Sequence, residues 1–161
     1  MSGLYHTTTN QIVVFTLDEQ SYALSLPSVI KVIHSVEVRP LPKAPEIIAG
    51  IINVKGQIIP VADIRTRFGL TAHEIDLNDQ FIIANTGKRD VAIVVDAVSG
   101  IRDLEPHQMD IAEKSLPFAE HIQGIAKVDD SLVLIYDLER FLSLDEEKVL
   151  EQALNLKTDE A

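Results

Sequence analysis

The sequence has no cysteine and no tryptophan, and aromatic residues make up only 5% of its 161 positions. The missing cysteine excludes disulfides, cysteine-ligated zinc, iron–sulfur clusters and a cysteine nucleophile. No apolar run approaches the roughly 18 residues of a membrane-spanning helix. The first residues, MSGLYHTTTNQ, lack the basic and apolar regions of a signal peptide. We therefore expect a soluble cytoplasmic protein with no direct membrane insertion.

Positive charge is also scarce. The chain carries 14 Lys and Arg against 25 Asp and Glu, which gives a formal net charge of −11 at pH 7. Because nucleic acids and anionic membranes are bound through clustered Lys and Arg, this charge disfavours both partners. Residues 1–80 hold six basic and eight acidic side chains, whereas residues 81–161 hold eight and seventeen. This asymmetry is compatible with oriented association with a partner, and equally with a solvated surface that ends in an acidic tail.

Short runs of Ile, Val and Leu, bounded by turn residues, dominate the rest of the sequence. Alternation of large apolar and small residues, as in YALSL (22–26), is typical of half-buried strands. Asp63 and Asp137 predict two short helices, because Asp is a favourable N-cap, and Gly69 is suited to end the first of them. Spaced apolar residues and early acids from residue 144 onward predict an amphipathic C-terminal helix.

The second half of the chain repeats the first. A shift of 74 residues superposes IAGIINVKGQIIPVADI (48–64) on IQGIAKVDDSLVLIYDL (122–138), and a shift of 69 aligns residues 22–32 with 91–101. Chance similarity between apolar strands is the alternative, but the repeated glycine and the repeated capping Asp argue against it. About five short strands per half suits a small barrel. We therefore predict an all-β fold of two five-stranded barrels, at about 12–70 and 80–143, followed by an acidic helix and tail at 144–161.

Motifs for catalysis and metal binding are missing. The sequence contains no GxxxxGK[ST] phosphate loop, no GxGxxG, no GxSxG and no HExxH. Asp63 and Asp137 are conceivable as an acid–base pair, but their equivalent positions before two short helices favour capping. Because these motifs are missing, we expect no enzymatic activity and no cofactor. We also expect no metal site, because no two of the five histidines have metal-ligand spacing: His6, His34, His73, His107 and His121.

The segment RPLPKAPEIIAGIINVKGQIIPVADIRTRF (39–68) resembles the signature of the CheW-like domain family. Lys55 stands where the family usually has Arg, and Ile64 where it has Leu. Two later segments, GKRDVAIVVDAVSGI and GIAKVDDSLVLIYDLERFL, resemble the family's second-half hairpins, so the resemblance covers about residues 9–143. It implies two five-stranded SH3-like barrels around a shared apolar interface. The positions that match the signature are Pro42, Pro45, Gly50, Asn53, Gly56, Pro60, Val61, Asp63 and Arg65.

Free-standing members of this family are chemotaxis adaptors of two-component signalling. The resemblance implies a non-catalytic scaffold that binds the regulatory domain of a CheA-type histidine kinase and the cytoplasmic tips of methyl-accepting chemoreceptors. It also implies recruitment to receptor arrays at the inner face of the membrane. Two alternatives stay open: an adaptor of a pilus or second-messenger pathway, and an SH3-like nucleic-acid-binding module, which the acidic charge disfavours.

The resemblance also implies where the partners bind. The kinase meets the first barrel in the family, and the receptor tip lies between the barrels. A second kinase contact maps to Leu116 or Phe118. The alternative role for Gly56 is purely conformational, and the alternative for the apolar groove residues is core packing. The kinase surface therefore maps to Asn53, Val54, Lys55 and Gly56, and the receptor surface to Val29, Lys31, Val32, Ile33, Arg65, Val98 and Ser99.

Lys31 departs from the family, whose members commonly carry an acidic residue there, paired with the Arg that matches Arg65. Both positions are basic in this chain. We therefore expect a positive groove that presents Lys31 and Arg65 together and favours an acidic residue on the receptor tip.

Overall fold

A computed structural model describes residues 10–71, 73–104, 109–110 and 122–160 of the chain. Within these ranges, short 3-10 helices occupy Leu26–Ser28, Ile64–Phe68 and Leu138–Arg140, and one α-helix, α1, occupies Leu144–Glu160. The strands are β1 (Asn10–Leu17), β2 (Gln20–Ser25), β3 (Val29–His34), β4 (Ile48–Val54), β5 (Gln57–Ala62), β6 (Gln80–Asn85), β7 (Asp90–Val95), β8 (Ala97–Leu104), β9 (Met109–Asp110), β10 (Ile122–Val128) and β11 (Ser131–Tyr136).

The strands form two sheets, and each sheet takes strands from both halves of the chain. Sheet A has the order β8-β1-β2-β11-β10-β9, and sheet B has the order β3-β6-β7-β5-β4. The β1–β2 hairpin pairs with β8 and β11 of the second half, and the equivalent β6–β7 hairpin pairs with β3 and β5 of the first. The two repeats exchange their equivalent hairpins, so each sheet combines strands from the two predicted barrel ranges, 12–70 and 80–143.

The strand pairings of both sheets fit an SH3-like fold, although neither barrel is closed among the described strands. After β3 the chain returns to β4, where Arg39 and Ile51 exchange two backbone hydrogen bonds of 2.9 and 2.8 Å. In sheet A the short strand β9 lies beside β10 in the corresponding place. The predicted mainly β fold of two SH3-like units is confirmed, with β9 as a sixth strand of sheet A and with open sheet edges at β3, β4, β8 and β9 among the described strands.

The internal repeat is preserved in local detail. Strand β4 has a register shift between Ile48 and Gly50, and β10 has the same irregularity between Ile122 and Gly124. The Asp63 carboxylate accepts a hydrogen bond of 3.1 Å from the N–H of Arg65, and Asp137 caps the later 3-10 helix in the same way. These contacts confirm that both aspartates are N-caps.

The described residues form three apolar cores, one inside each sheet and one between the sheets. Alternate residues of one strand enter different cores. In β7, Ala92 and Val94 belong to the core of sheet B, whereas Val91, Ile93 and Val95 belong to the shared core. Because both faces of such strands are buried, their sequences are continuously apolar rather than alternating. Each fully buried Val or Ile contributes about 1.5–3 kcal/mol to the free energy of unfolding.

Helix α1 packs against this shared core. A capping box starts the helix: the Glu146 N–H donates to Ser143 Oγ at 3.1 Å, and the Ser143 N–H donates to Glu146 Oε1 at 2.9 Å. Leu150 and Ala153 are buried in the shared core, whereas Leu144 is 75% exposed. Within the described ranges, no helix combines the length and apolarity needed to cross a bilayer.

Candidate functional site

The tip of the β4–β5 hairpin brings the four residues of the predicted kinase surface together. Asn53, Lys55 and Gly56 are exposed, and Val54 is partly buried. The turn has positive φ at both central residues, 51° at Lys55 and 88° at Gly56, which is the backbone of a tight hairpin turn. Asn53 Oδ1 accepts the Gly56 N–H at 2.8 Å. Gly56 therefore suits the turn conformation and also faces solvent, so both of its predicted roles are compatible with this geometry.

Two apolar grooves adjoin this hairpin, and the sequence did not indicate them. The groove beside the tip has a volume of about 380 Å³, and a second one of about 570 Å³ continues from it through Val36 and Glu37, which line both. Ile58 and Val36 are 48% and 46% exposed, although each lies in an apolar segment that reads as buried strand. The first groove is lined by Val36, Glu37, Arg39, Ile51, Ile52, Asn53 and Ile58, and the second by Ser35, Val36, Glu37, Val38, Ala49, His73, Glu74, Ile75 and Leu77.

The predicted receptor residues lie on two sheet edges. Val29, Lys31, Val32 and Ile33 lie on β3 of sheet B, whereas Val98 and Ser99 lie on β8 of sheet A. The two strands approach each other through Gln80, which pairs with His34 at the end of β3 and whose Oε1 accepts the Val98 N–H at 2.8 Å.

Some side chains of this surface pack against the apolar cores, and others are exposed to solvent. Val29 and Val98 pack partly against the shared core, and Ile33 packs against the core of sheet B. Lys31 and Ser99 are exposed, and Val32 is 37% exposed. The neighbouring Ile30 is 52% exposed and was missed, because an isoleucine in a strand sequence normally indicates core.

Arg65, the remaining residue of the predicted receptor surface, does not lie on a sheet edge and is buried. Its side chain is 0% exposed and lies among carboxylates from three parts of the chain. The guanidinium donates to Asp18 Oδ1 at 2.9 Å and to Asp96, while its Nε lies 3.9 Å from Asp63 Oδ1. Asp18 belongs to the β1–β2 turn of sheet A, and Asp96 lies where the chain passes from β7 in sheet B to β8 in sheet A. The Arg65 cluster, defined here as Arg65, Asp18, Asp63 and Asp96, therefore joins the two sheets.

This cluster corrects the expectation of a groove that presents Lys31 and Arg65 together. The Arg65 charge is buried and paired, so it offers no surface to a partner, whereas Lys31 is exposed. No ion pair of Lys31 is formed among the described residues, which leaves its positive charge on the surface of β3. The sequence contained no local signal for the counter-ions of Arg65, because Asp18 and Asp96 are 47 and 31 residues away.

Asp96 illustrates the electrostatics of the cluster. Burial alone would raise the pKa of Asp96, but hydrogen bonds from the Asp18 N–H and from Arg65 hold this pKa below its ordinary value. A carboxylate with a lowered pKa in the folded state stabilises the fold above its unfolded pKa of about 4, and this stabilisation is lost as the pH falls through the lower folded value. The cluster therefore stabilises the folded state at neutral pH.

A group of possible metal ligands also lies beside the cluster. Ligand atoms of His73, Asp79 and Asp96 lie within 4.8 Å of one another. The Arg65 guanidinium already supplies a positive charge to Asp96, and the Asp79 carboxylate accepts the Asp76 N–H at 2.8 Å. Each of these two carboxylates therefore already has a partner within the protein. Leu116 and Phe118, the predicted second kinase contact, lie outside the described residues.

Comparisons with known proteins agree with this architecture. A family model described as the CheW-like domain matches residues 11–146. The Chemotaxis protein CheW of Klebsiella aerogenes is 30% identical over 142 residues, which cover 87% of this chain and 86% of that protein. The Chemotaxis protein CheW of Thermotoga maritima is 28% identical over 132 residues, covering 82% and 87%. The crystal structure of the scaffolding protein TtCheW from Thermoanaerobacter tengcongensis superposes with a TM-score of 0.78 at 30% identity, covering 85% of this chain and 94% of that one.

Proposed function

Because the chain belongs to the CheW-like domain family, we propose that it is a chemotaxis adaptor that couples methyl-accepting chemoreceptors to a CheA-type histidine kinase. The observation that supports this best is the match over residues 11–146, which include strands of both sheets. An adaptor performs no covalent chemistry: it holds kinase and receptor together, and the receptor state biases the kinase through these contacts. We place the protein in the cytoplasm, recruited to receptor arrays at the membrane.

The β4–β5 hairpin and the groove beside it are the proposed kinase surface. The hairpin tip projects Lys55 into solvent, and Ile58 and Val36 supply exposed apolar area next to it. Interfaces commonly combine an apolar centre with a polar rim, and Arg39 and Asn53 line this groove with polar atoms. The regulatory domain of the kinase is the proposed partner here, and Leu116 or Phe118 remains the predicted second contact.

The edges of β3 and β8 are the proposed receptor surface. Ile30 and Val32 of β3 expose apolar area, and Ser99 of β8 is exposed at the other edge. Lys31 lies between the two exposed β3 residues and adds a positive charge. An apolar receptor tip that carries an acidic residue fits this chemistry.

Reconstitution with kinase and receptor fragments tests the coupling function. We expect wild-type protein to raise receptor-controlled kinase autophosphorylation, and Gly56→Asp to lose most of this effect because it adds a negative side chain at the hairpin tip. The variant should still fold, since a Cβ on Gly56 would meet nothing within 4 Å. The positive φ of the turn costs about 1 kcal/mol for a non-glycine residue, and Asp tolerates this conformation better than most.

Gly87→Asp is the matched control for this experiment. Gly87 has a φ of 97° and open space around its Cβ position. Its N–H donates to Asn85 Oδ1, two residues earlier, whereas the Gly56 N–H donates to Asn53 Oδ1, three residues earlier. It should retain coupling. A kinase that responds to receptors equally well without the protein would contradict the adaptor function. Equal loss of receptor-controlled autophosphorylation in both variants would show that misfolding, rather than a lost kinase contact, causes the loss.

Lys31→Glu should change receptor binding while leaving stability nearly unchanged. Lys31 is exposed, so its replacement removes no buried contact. Binding to a cognate receptor fragment should weaken about tenfold, and its dependence on ionic strength should decrease, because a positive charge opposite an acidic receptor residue is replaced by a negative one. Titrations at two ionic strengths measure both effects.

Lys88→Glu makes the same charge change on the exposed β6–β7 turn and should leave receptor affinity unchanged. If wild type and Lys31→Glu have the same receptor affinity and the same dependence of affinity on ionic strength, Lys31 is not part of the receptor surface.

A further inference from the structure

We propose that the kinase-binding surface does not end at the β4–β5 hairpin but continues along residues 35–39 to Leu77, where it holds an apolar kinase segment flanked by Lys or Arg. This inference rests on the proposed function and extends its kinase contact to a loop that neither the sequence nor the resemblance singled out.

Leu77 is the first observation behind this extension. Its side chain is 88% exposed, the highest exposure among the large apolar side chains described. An isolated exposed leucine needs no explanation, but this one stands at the mouth of the 570 Å³ groove that also exposes Val36. An apolar side chain beside an apolar groove forms the kind of patch that partners cover.

The loop that carries Leu77 is held firmly in place. The Asp76 N–H donates to Asp79 Oδ2 at 2.8 Å, and the Asp79 N–H donates to the Asp76 carbonyl at 3.0 Å. Ser35 ties the loop to the chain after β3, because its hydroxyl donates to the Asp76 carbonyl at 2.8 Å and its N–H donates to the Asp79 carbonyl at 3.1 Å. A partner that binds Leu77 therefore does not have to order the loop first, which lowers the entropy cost of association.

Continuity with the hairpin groove identifies the partner. Val36 and Glu37 line both grooves, so one molecule that covers the hairpin tip and Ile58 also reaches the Leu77 groove. The receptor surface, in contrast, lies on the edges of β3 and β8. The occupant that this placement favours is the kinase.

The charged residues along the two grooves favour one orientation of the bound kinase. Glu74 lines the Leu77 groove, as His73 does, and Glu37 lines both grooves. Neither glutamate forms an ion pair with another described residue. Arg39 lines the hairpin groove, and Lys55 lies at the hairpin tip. A complementary partner is therefore basic opposite Glu74 and acidic opposite Lys55. Such a polarity admits one orientation of the kinase and disfavours the reverse, in which like charges meet.

Binding of the isolated kinase regulatory domain tests this extension. Leu77→Ser should weaken binding about tenfold with unchanged thermal stability, since the side chain is almost fully exposed in the free protein. Leu132→Ser is the matched control: Leu132 is 60% exposed but lies on β11 of sheet A, and its replacement should leave kinase affinity unchanged. Glu74→Lys should weaken kinase binding relative to wild type. This loss should grow as the salt concentration falls, because repulsion between like charges is then screened less.

The outcomes separate this inference from the proposed function. Wild-type kinase affinity in Leu77→Ser, together with weak binding of Gly56→Asp, would overturn the extension and leave the adaptor function standing. Loss of receptor-fragment binding rather than kinase binding in Leu77→Ser would also overturn it. If the wild-type protein did not bind the kinase domain at all, the proposed function itself would fail.

Discussion

Replacing Arg65 by methionine should lower the free energy of unfolding at pH 7 by about 2–3 kcal/mol. This is less than for a fully buried pair, because the Asp18 and Asp96 carboxylates are 48% and 36% exposed and water screens their charge. Methionine keeps most of the side-chain volume, so the loss is electrostatic rather than steric. Without the guanidinium, Asp18, Asp63 and Asp96 lose their buried cation. Among the described residues, His73 remains beside them, with its Nε2 3.6 Å from Asp96 Oδ1, and it carries a positive charge only when protonated. For a chain of this size the melting temperature should fall by roughly 5–10 °C.

The pH dependence of this variant distinguishes charge from packing. Unpaired neighbouring carboxylates bind protons more tightly in the folded state than in the unfolded state, so their stability deficit shrinks as the pH falls. The difference between wild type and Arg65→Met should therefore narrow between pH 7 and pH 4 in urea titrations. Adding Asp96→Asn to Arg65→Met should restore part of the stability. A loss below about 1 kcal/mol, or one independent of pH, would contradict the electrostatic role of the cluster.

Gly50→Ala should destabilise the protein by about 3 kcal/mol or more, because a side chain at this position meets backbone that has no room to move. A Cβ on Gly50 would lie 2.2 Å from the Arg39 carbonyl oxygen and 2.7 Å from Val38 Cγ1. The same carbonyl accepts the Ile51 N–H at 2.8 Å, so moving it away breaks a hydrogen bond of the bridge between Arg39 and strand β4. We expect a lower midpoint of urea denaturation and weaker kinase binding, since Arg39 lines the hairpin groove.

Gly100→Ala is the control that separates close approach from backbone strain. Gly100 also has a positive φ, 138° against 157° at Gly50, but a Cβ there would meet nothing within 4 Å. Its replacement should cost only about 1 kcal/mol, the strain term alone. Similar losses for the two variants would show that the contact with Arg39 is relieved by small movements.

Local patterns predicted most of the secondary structure of this chain. The Asp63 and Asp137 caps, the hairpin turns and the C-terminal helix depend on residues within a few positions of one another, and the structure has them where the sequence indicates. The predicted kinase residues 53–56 also stay together, because a hairpin tip is itself a local structure. The exposure of individual side chains on the proposed receptor surface was harder to predict. Whether an isoleucine in a strand is buried, as Ile51 is, or exposed, as Ile30 is, depends on what packs against it.

The sequence by itself determined the β class, the internal repeat, the strand and cap positions and the family, because these follow from short-range periodicity and from a contiguous signature. The tertiary structure alone decided that the β1–β2 and β6–β7 hairpins exchange places between the repeats. Equivalent hairpins present the same apolar faces, so their local patterns do not distinguish a hairpin that pairs within its own half from one that pairs with the other half. The same holds for Arg65: its counter-ions Asp18 and Asp96 lie 47 and 31 residues away, and only the hairpin exchange brings them together at the junction of the two sheets.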